Sequence, residues 1–125
     1  MAIEFAAWEE QVDNDTRIVA VRGEVDLFTA PEFKQRVNAA IEAGVRLVVV
    51  DLNEATFIDS SSLGILISAH KRLRMRGDRL VIVCEVPAIL NTFTITGLDG
   101  VLAIDPSRDA ALARELNGDS EPAAA

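Results

Sequence analysis

Two stretches of this chain are apolar almost without a break: residues 47–52, LVVVDL, and residues 80–84, LVIVC. A strand with one wet face alternates apolar and polar side chains, whereas a strand covered on both faces has no reason to. The two runs therefore predict central strands of a parallel sheet. Between them, Leu63, Leu66, Ile67, His70 and Leu73 recur at helical spacing, from Ser60 to about Arg76, and Gly77-Asp78 stops the pattern. Strand, helix, strand in that order is a βαβ unit, which closes with a right-handed crossover.

The flanking segments extend the same plan. IEFAAW near the start roughly alternates, and RIVAVR follows after the turn-rich Asp13, Asn14 and Asp15, so the two read as an antiparallel hairpin. Thr29 precedes Pro31 and stands three residues before Glu32, the spacing of a capping box, with Phe28 and Phe33 at the staple positions. A helix is expected from about Ala30, its inner face formed by Phe33, Val37, Ala40 and Ile41, with Gly44 at its end. NEATFID reads as a loop. Pro87 opens a short helix with Ile89, Leu90 and Phe93 facing inward, and Gly97 closes it. Residues 101–104 form a short edge strand, and Asp105-Pro106 caps and starts a last helix to about Leu116. The expected architecture is α/β: an open mixed sheet, hairpin first and parallel strands after it, with about four helices. One domain spans 1–116, and the tail 117–125, NGDSEPAAA, has nothing to pack and is expected to be disordered.

Composition removes several classes of function. The 125 residues carry a formal net charge of −8, and a nucleic-acid surface needs clustered positive charge to displace counterions. Lys71, Arg72, Arg74, Arg76 and Arg79 do cluster, but cations suit a helix C-terminus, so a solvated helix end accounts for them as well as a partner patch does. No apolar run approaches the roughly 20 residues that span a bilayer. The first ten residues, MAIEFAAWEE, hold early acids and no basic stretch, unlike a secretory signal. The cytoplasm is the expected location, with neither nucleic acid nor membrane as a direct partner. The single cysteine, Cys84, lies in an apolar run and reads as a buried small hydrophobe.

Catalytic chemistry has little to stand on. The one histidine, His70, falls on or beside the apolar helix face. Neither a metal-ligand spacing nor a glycine-rich phosphate loop appears, and no GxSxG elbow surrounds the serines. An aspartyl-phosphate receiver would gather acids around magnesium. Asp51, Asp59 and Asp26 could converge, but no strand ends in paired acids, and Glu85 stands where a receiver's lysine is expected. No catalytic residue, metal or cofactor is expected.

The informative stretch is FIDSSSLGIL. Asp59 or Ser60 is placed to cap the helix by accepting a backbone N–H, yet one cap needs one polar residue, and here an aspartate and three serines stand in line. In open α/β sheets, function collects at the carboxyl ends of strands. If the second and third strands run parallel, Asp26 and Ser60 share one rim. Phosphorylation adds about −1.5 to −2 charge, which a helix N-terminus tolerates and a docked partner does not.

These residues resemble a known family, the STAS-domain antagonists of anti-sigma factors. GEVDLFTA resembles the family's early G-E-[LIV]-D segment, VVVDLNEATFIDSSSLGIL its strand, loop and phosphorylated-serine helix, and RGDRLVIVCEVPAILNTFTITGL its later strand and helix. The resemblance implies a protein that binds an anti-sigma factor serine kinase and frees its sigma factor. It also implies release on phosphorylation and restoration by a PP2C-type phosphatase. Carried over, the phosphoacceptor falls on Ser60, or less readily on Ser61, and the partner-facing set is Asp26, Asp59, Ser60, Ser61 and Ser62. Ser62 departs from the pattern, standing where glycine or another small residue is usual. STAS domains also serve as unmodified scaffolds, which is the alternative reading.

Overall fold

The computed structural model describes residues 3–116, and the tail expected to be disordered lies outside them. Strand β1 (Ala6–Gln11) pairs antiparallel with β2 (Thr16–Val25), the expected hairpin. From there every neighbour is parallel: β2 with β3 (Leu47–Ile58), β3 with β4 (Arg79–Val83), and β4 with β5 (Ala103–Asp105). The strand order is simply β1-β2-β3-β4-β5.

That order decides where the helices go. Right-handed crossovers that all step in one direction across a sheet put their helices on one face. Accordingly α1 (Ala30–Glu42), α2 (Ser60–Met75) and α3 (Pro87–Ile95) share one core with Val19, Val21, Val48, Val50 and Ile82, through Phe33, Leu66, Leu73 and Phe93 among others. The last helix, α4 (Arg108–Leu116), follows the edge strand and packs on the other face. There Ala111 and Leu112 meet Ile18, Leu47, Val49, Val81 and Val83. Leu47, Val48, Val49 and Val50 are thus buried on alternating sides, which is why the run does not alternate in polarity.

The open half of the second face is closed by charge. The Arg108 guanidinium donates from Nε to Asp51 at 2.7 Å and from both terminal nitrogens to Glu10 at 3.0 Å, tying the start of α4 to β3 and β1. Trp8 Nε1 donates to Glu10 at 3.0 Å, and Arg22 lies 5.6 Å over the Trp8 ring. The bond from Arg108 holds the Glu10 carboxyl below its usual range.

Four local expectations need correction. NEATFID is not a loop: β3 continues through it to Ile58 because β2 is long enough to pair with it. Thr29 stands at the N-cap of α1 but makes no capping bond, and Phe28 is 89% exposed, so neither capping box nor staple forms. On α2, Ile67 and His70 are only half-buried, while Ser62 and Ala69 take places on the inner face. Asp105 does not cap α4. It pairs with Arg114 at 2.9 Å, and Ser107 Oγ accepts the Ala110 N–H instead.

A two-stranded rim carrying the serine

β4 leaves the sheet early: its last pairing joins Val83 to Asp51. Asn53 closes the gap, its side-chain oxygen accepting the Glu85 N–H at 2.6 Å and its amide donating to the Pro106 carbonyl at 3.0 Å. Beyond that point β3 is paired only with β2, as Arg22↔Glu54, Gly23↔Ala55, Glu24↔Phe57 and Val25↔Ile58. The register shifts twice along this ribbon, between Ala20 and Arg22 and between Gly23 and Glu24. Gly23 makes the second shift possible. Its φ is +86°, and a Cβ there would stand 3.0 Å from the Ile3 carbonyl oxygen, so no other residue fits without strain.

Both strands of the ribbon end at one rim. β3 hands over to α2 through Asp59, whose backbone is extended and whose Oδ1 accepts the N–H groups of Ser61 at 3.0 Å and Ser62 at 3.3 Å. The cap is therefore Asp59, and the three serines are the first turn of the helix. Helical geometry then sends them in different directions. Ser60 is exposed, Ser61 is half-buried, and Ser62 is 1% exposed. Ser62 Oγ donates to the Val25 carbonyl at 2.8 Å, fastening α2 to the end of β2. Ser62, expected among the partner-facing residues, instead turns inward and holds the rim together.

Asp26 follows Val25 directly. Its Oδ1 accepts the N–H groups of Phe28 at 2.9 Å and Thr29 at 3.1 Å, while its own N–H donates to Thr29 Oγ1 at 2.9 Å. Thr29 Oγ1 in turn donates to the Glu24 carbonyl at 2.8 Å. This closed turn explains the missing capping box, since the threonine hydroxyl is used backwards. The parallel pairing of β2 with β3 and the Ser62–Val25 bond bring Asp26 and Ser60 to one rim, as expected of parallel strands, with Asp59 between β3 and Ser60. The turn also exposes Leu27 to 70% and Phe28 to 89%, and Phe57 on the adjoining strand to 47%. Sequence reasoning assigned these three no surface role. The available signal was an apolar pair between two turn-forming residues, Asp26 and Thr29.

The other candidates lie apart or are engaged elsewhere. Asp51 binds Arg108 and the Asn53 N–H. Asp51, Asp59 and Asp26 do not gather, and among the described residues no group of three or more His, Cys, Asp or Glu could hold a metal. Cys84 is buried, which pushes its thiol pKa up. In the basic cluster, Arg76 donates to the Ile41 and Val45 carbonyls and pairs with Asp78, and Arg72 reaches Asn38. No helix among the described residues is long and apolar enough to cross a membrane.

Comparison with known proteins agrees with this geometry. The STAS domain family model matches residues 7–111. The anti-sigma-B factor antagonist of Listeria monocytogenes is 33% identical over 93 residues, 74% of this chain and 81% of that protein. An anti-sigma factor antagonist from Mycobacterium paratuberculosis superposes with a TM-score of 0.82 at 29% identity, covering 88% of this chain and 92% of the other. SpoIIAA, an anti-sigma factor antagonist in its unphosphorylated form, shares the fold with a TM-score of 0.76 at 22% identity, over 90% and 97% of the two chains.

Proposed function

Because the chain belongs to the STAS-domain family of anti-sigma factor antagonists, we propose that it binds an anti-sigma factor serine kinase, frees the sigma factor held by that kinase, and is switched off by phosphorylation of Ser60. The observation that carries the reading is the division of labour among the three serines. Of the three, Ser60 alone is exposed, on the rim that it shares with the acidic turn at Asp26. The bound surface is Asp26, Asp59, Ser60 and Ser61, with Ser62 acting from beneath.

The switch follows from charge. The kinase moves the γ-phosphoryl group of ATP onto Ser60 Oγ, which loses its proton. The product is a dianion at a helix N-terminus, where the helix dipole favours it. The domain keeps its fold, because Ser60 lies outside the core and Asp59 already caps the helix. A docked partner meets a new charge that it must desolvate, beside Glu24, Asp26 and Asp59 of the same sign. A loss of about 3–4 kcal/mol weakens binding several-hundredfold. A PP2C-type phosphatase restores the hydroxyl by hydrolysing the phosphoester with water, which releases inorganic phosphate. The protein itself carries out no chemistry and acts in the cytoplasm.

The test is intact mass after incubation with an anti-sigma factor kinase and ATP. One added phosphate is expected, absent in Ser60→Ala and removed by a PP2C-type phosphatase. Ser60→Ala should still bind the kinase, and Ser60→Asp should fold normally and bind poorly. Prolonged incubation without any mass gain would favour the unmodified scaffold over the switch.

A further inference from the structure

The Asp26–Thr29 turn presents two large apolar side chains outside the described hydrophobic core. Phe28 is 89% exposed and Leu27 is 70% exposed. The turn beneath them is closed by four bonds among Glu24, Asp26, Phe28 and Thr29, so the backbone that carries the pair is held in place. A large aromatic side chain carried on a preorganised turn suits an interface anchor, because little backbone freedom remains to be lost on docking.

We propose that Leu27 and Phe28 are the specificity anchor through which the domain selects its kinase. The matching surface on that kinase is an apolar socket flanked by lysine or arginine. The inference rests on the function proposed above and names the chemistry of its partner. Continuity places the anchor. The turn leaves directly from Val25, whose carbonyl is held by Ser62, two residues beyond Ser60. Charge complementarity chooses the occupant. The apolar pair is bracketed in sequence by Glu24 and Asp26 on one side and Glu32 on the other, and Asp59 caps the neighbouring helix. A second copy of this chain would set the same acids against themselves, in a protein of net charge −8. A basic-rimmed socket meets no such repulsion.

The experiment uses the full chain against purified anti-sigma factor kinases of the histidine-kinase-like ATPase type from the source organism, with ADP present. Affinity is measured by calorimetry for the parent, Phe28→Ser, Leu27→Ser and the control Met75→Ser. Met75 is equally exposed, at 89%, but lies at the far end of α2. Burying a side chain of this size is expected to make each anchor variant bind on the order of 10- to 100-fold more weakly. Met75→Ser should match the parent, and all four melting curves should coincide. Anchor variants within threefold of the parent, on a kinase that does phosphorylate Ser60, would overturn the anchor and leave the switch standing. A parent that binds none of the kinases would overturn both. Sedimentation closes the remaining route: a parent dimer dispersed by Phe28→Ser, with kinase affinity unchanged, would assign the pair to self-association and sink the proposal.

Discussion

Replacing Ser62 by alanine should destabilise the domain far more than the same change at Ser60, two positions away in an unbroken SSS run. The Ser62 hydroxyl is 1% exposed and donates to the Val25 carbonyl at 2.8 Å. Removing a buried donor forfeits its bond and strands the acceptor, at about 1–3 kcal/mol. Ser60 is exposed, and surface changes of this kind stay within about 0.5 kcal/mol. The preference of helices for alanine over serine enters both variants and largely cancels in the comparison. The expected gap between them is therefore about 1–3 kcal/mol. Urea denaturation followed through the single tryptophan, Trp8, measures it directly. A gap under about 0.5 kcal/mol would show that the inward bond contributes nothing and would undo the assignment of Ser62 as a tie between α2 and β2. So would a Ser60→Ala variant that costs as much as Ser62→Ala.

Asp59→Ala should cost about 1 kcal/mol in the same assay, since Asp59 caps two N–H groups of α2. Asp59→Asn, which keeps the acceptor, should recover most of that loss. Arg108→Met should flatten the acid limb of stability. Glu10 is held below its ordinary value of 4.5 chiefly by its bond to Arg108, so the stabilisation is complete above that value and lost as pH falls through the depressed one. Both side chains are about a third or more exposed, so the effect stays below about 1 kcal/mol. Parent and variant should therefore converge in urea titrations at low pH and differ near neutrality.

The sheet was the most legible part of the molecule. Nearly uninterrupted apolar strands, glycine stops and helical spacing lead to the hairpin, the parallel strands after it and the helices, because each is a local pattern that burial enforces. The errors fell where tertiary pairing overrides local preference. NEATFID mixes polar Asn53, Glu54, Thr56 and Asp59 with apolar residues in no regular alternation, and only the length of β2 makes it a strand. Thr29 has a capping spacing, yet Asp26 competes for its hydroxyl, and no spacing rule ranks those two bonds. For the site, the serine run and its place between strand and helix were readable, but the direction of each serine was not. One of three consecutive hydroxyls points to solvent and another to a strand carbonyl. That difference is set by the rotation between successive helical positions and by the packing of α2 on the end of β2, which no single residue encodes. Leu27 and Phe28 were hidden for the opposite reason: apolar residues near a helix start suggest packing, whereas the fold leaves both largely exposed.

The early departure of β4 bears on how such regulators multiply within one cell. The head of the β2–β3 ribbon and its turn stand clear of the central ladder, so their outward side chains can change without disturbing the strands that hold the domain up. Duplicated copies can then drift apart in whom they recognise while inheriting the same scaffold and the same serine at the start of α2. A handful of substitutions at the tip would insulate one signalling line from another, with discrimination arising from mismatched sockets.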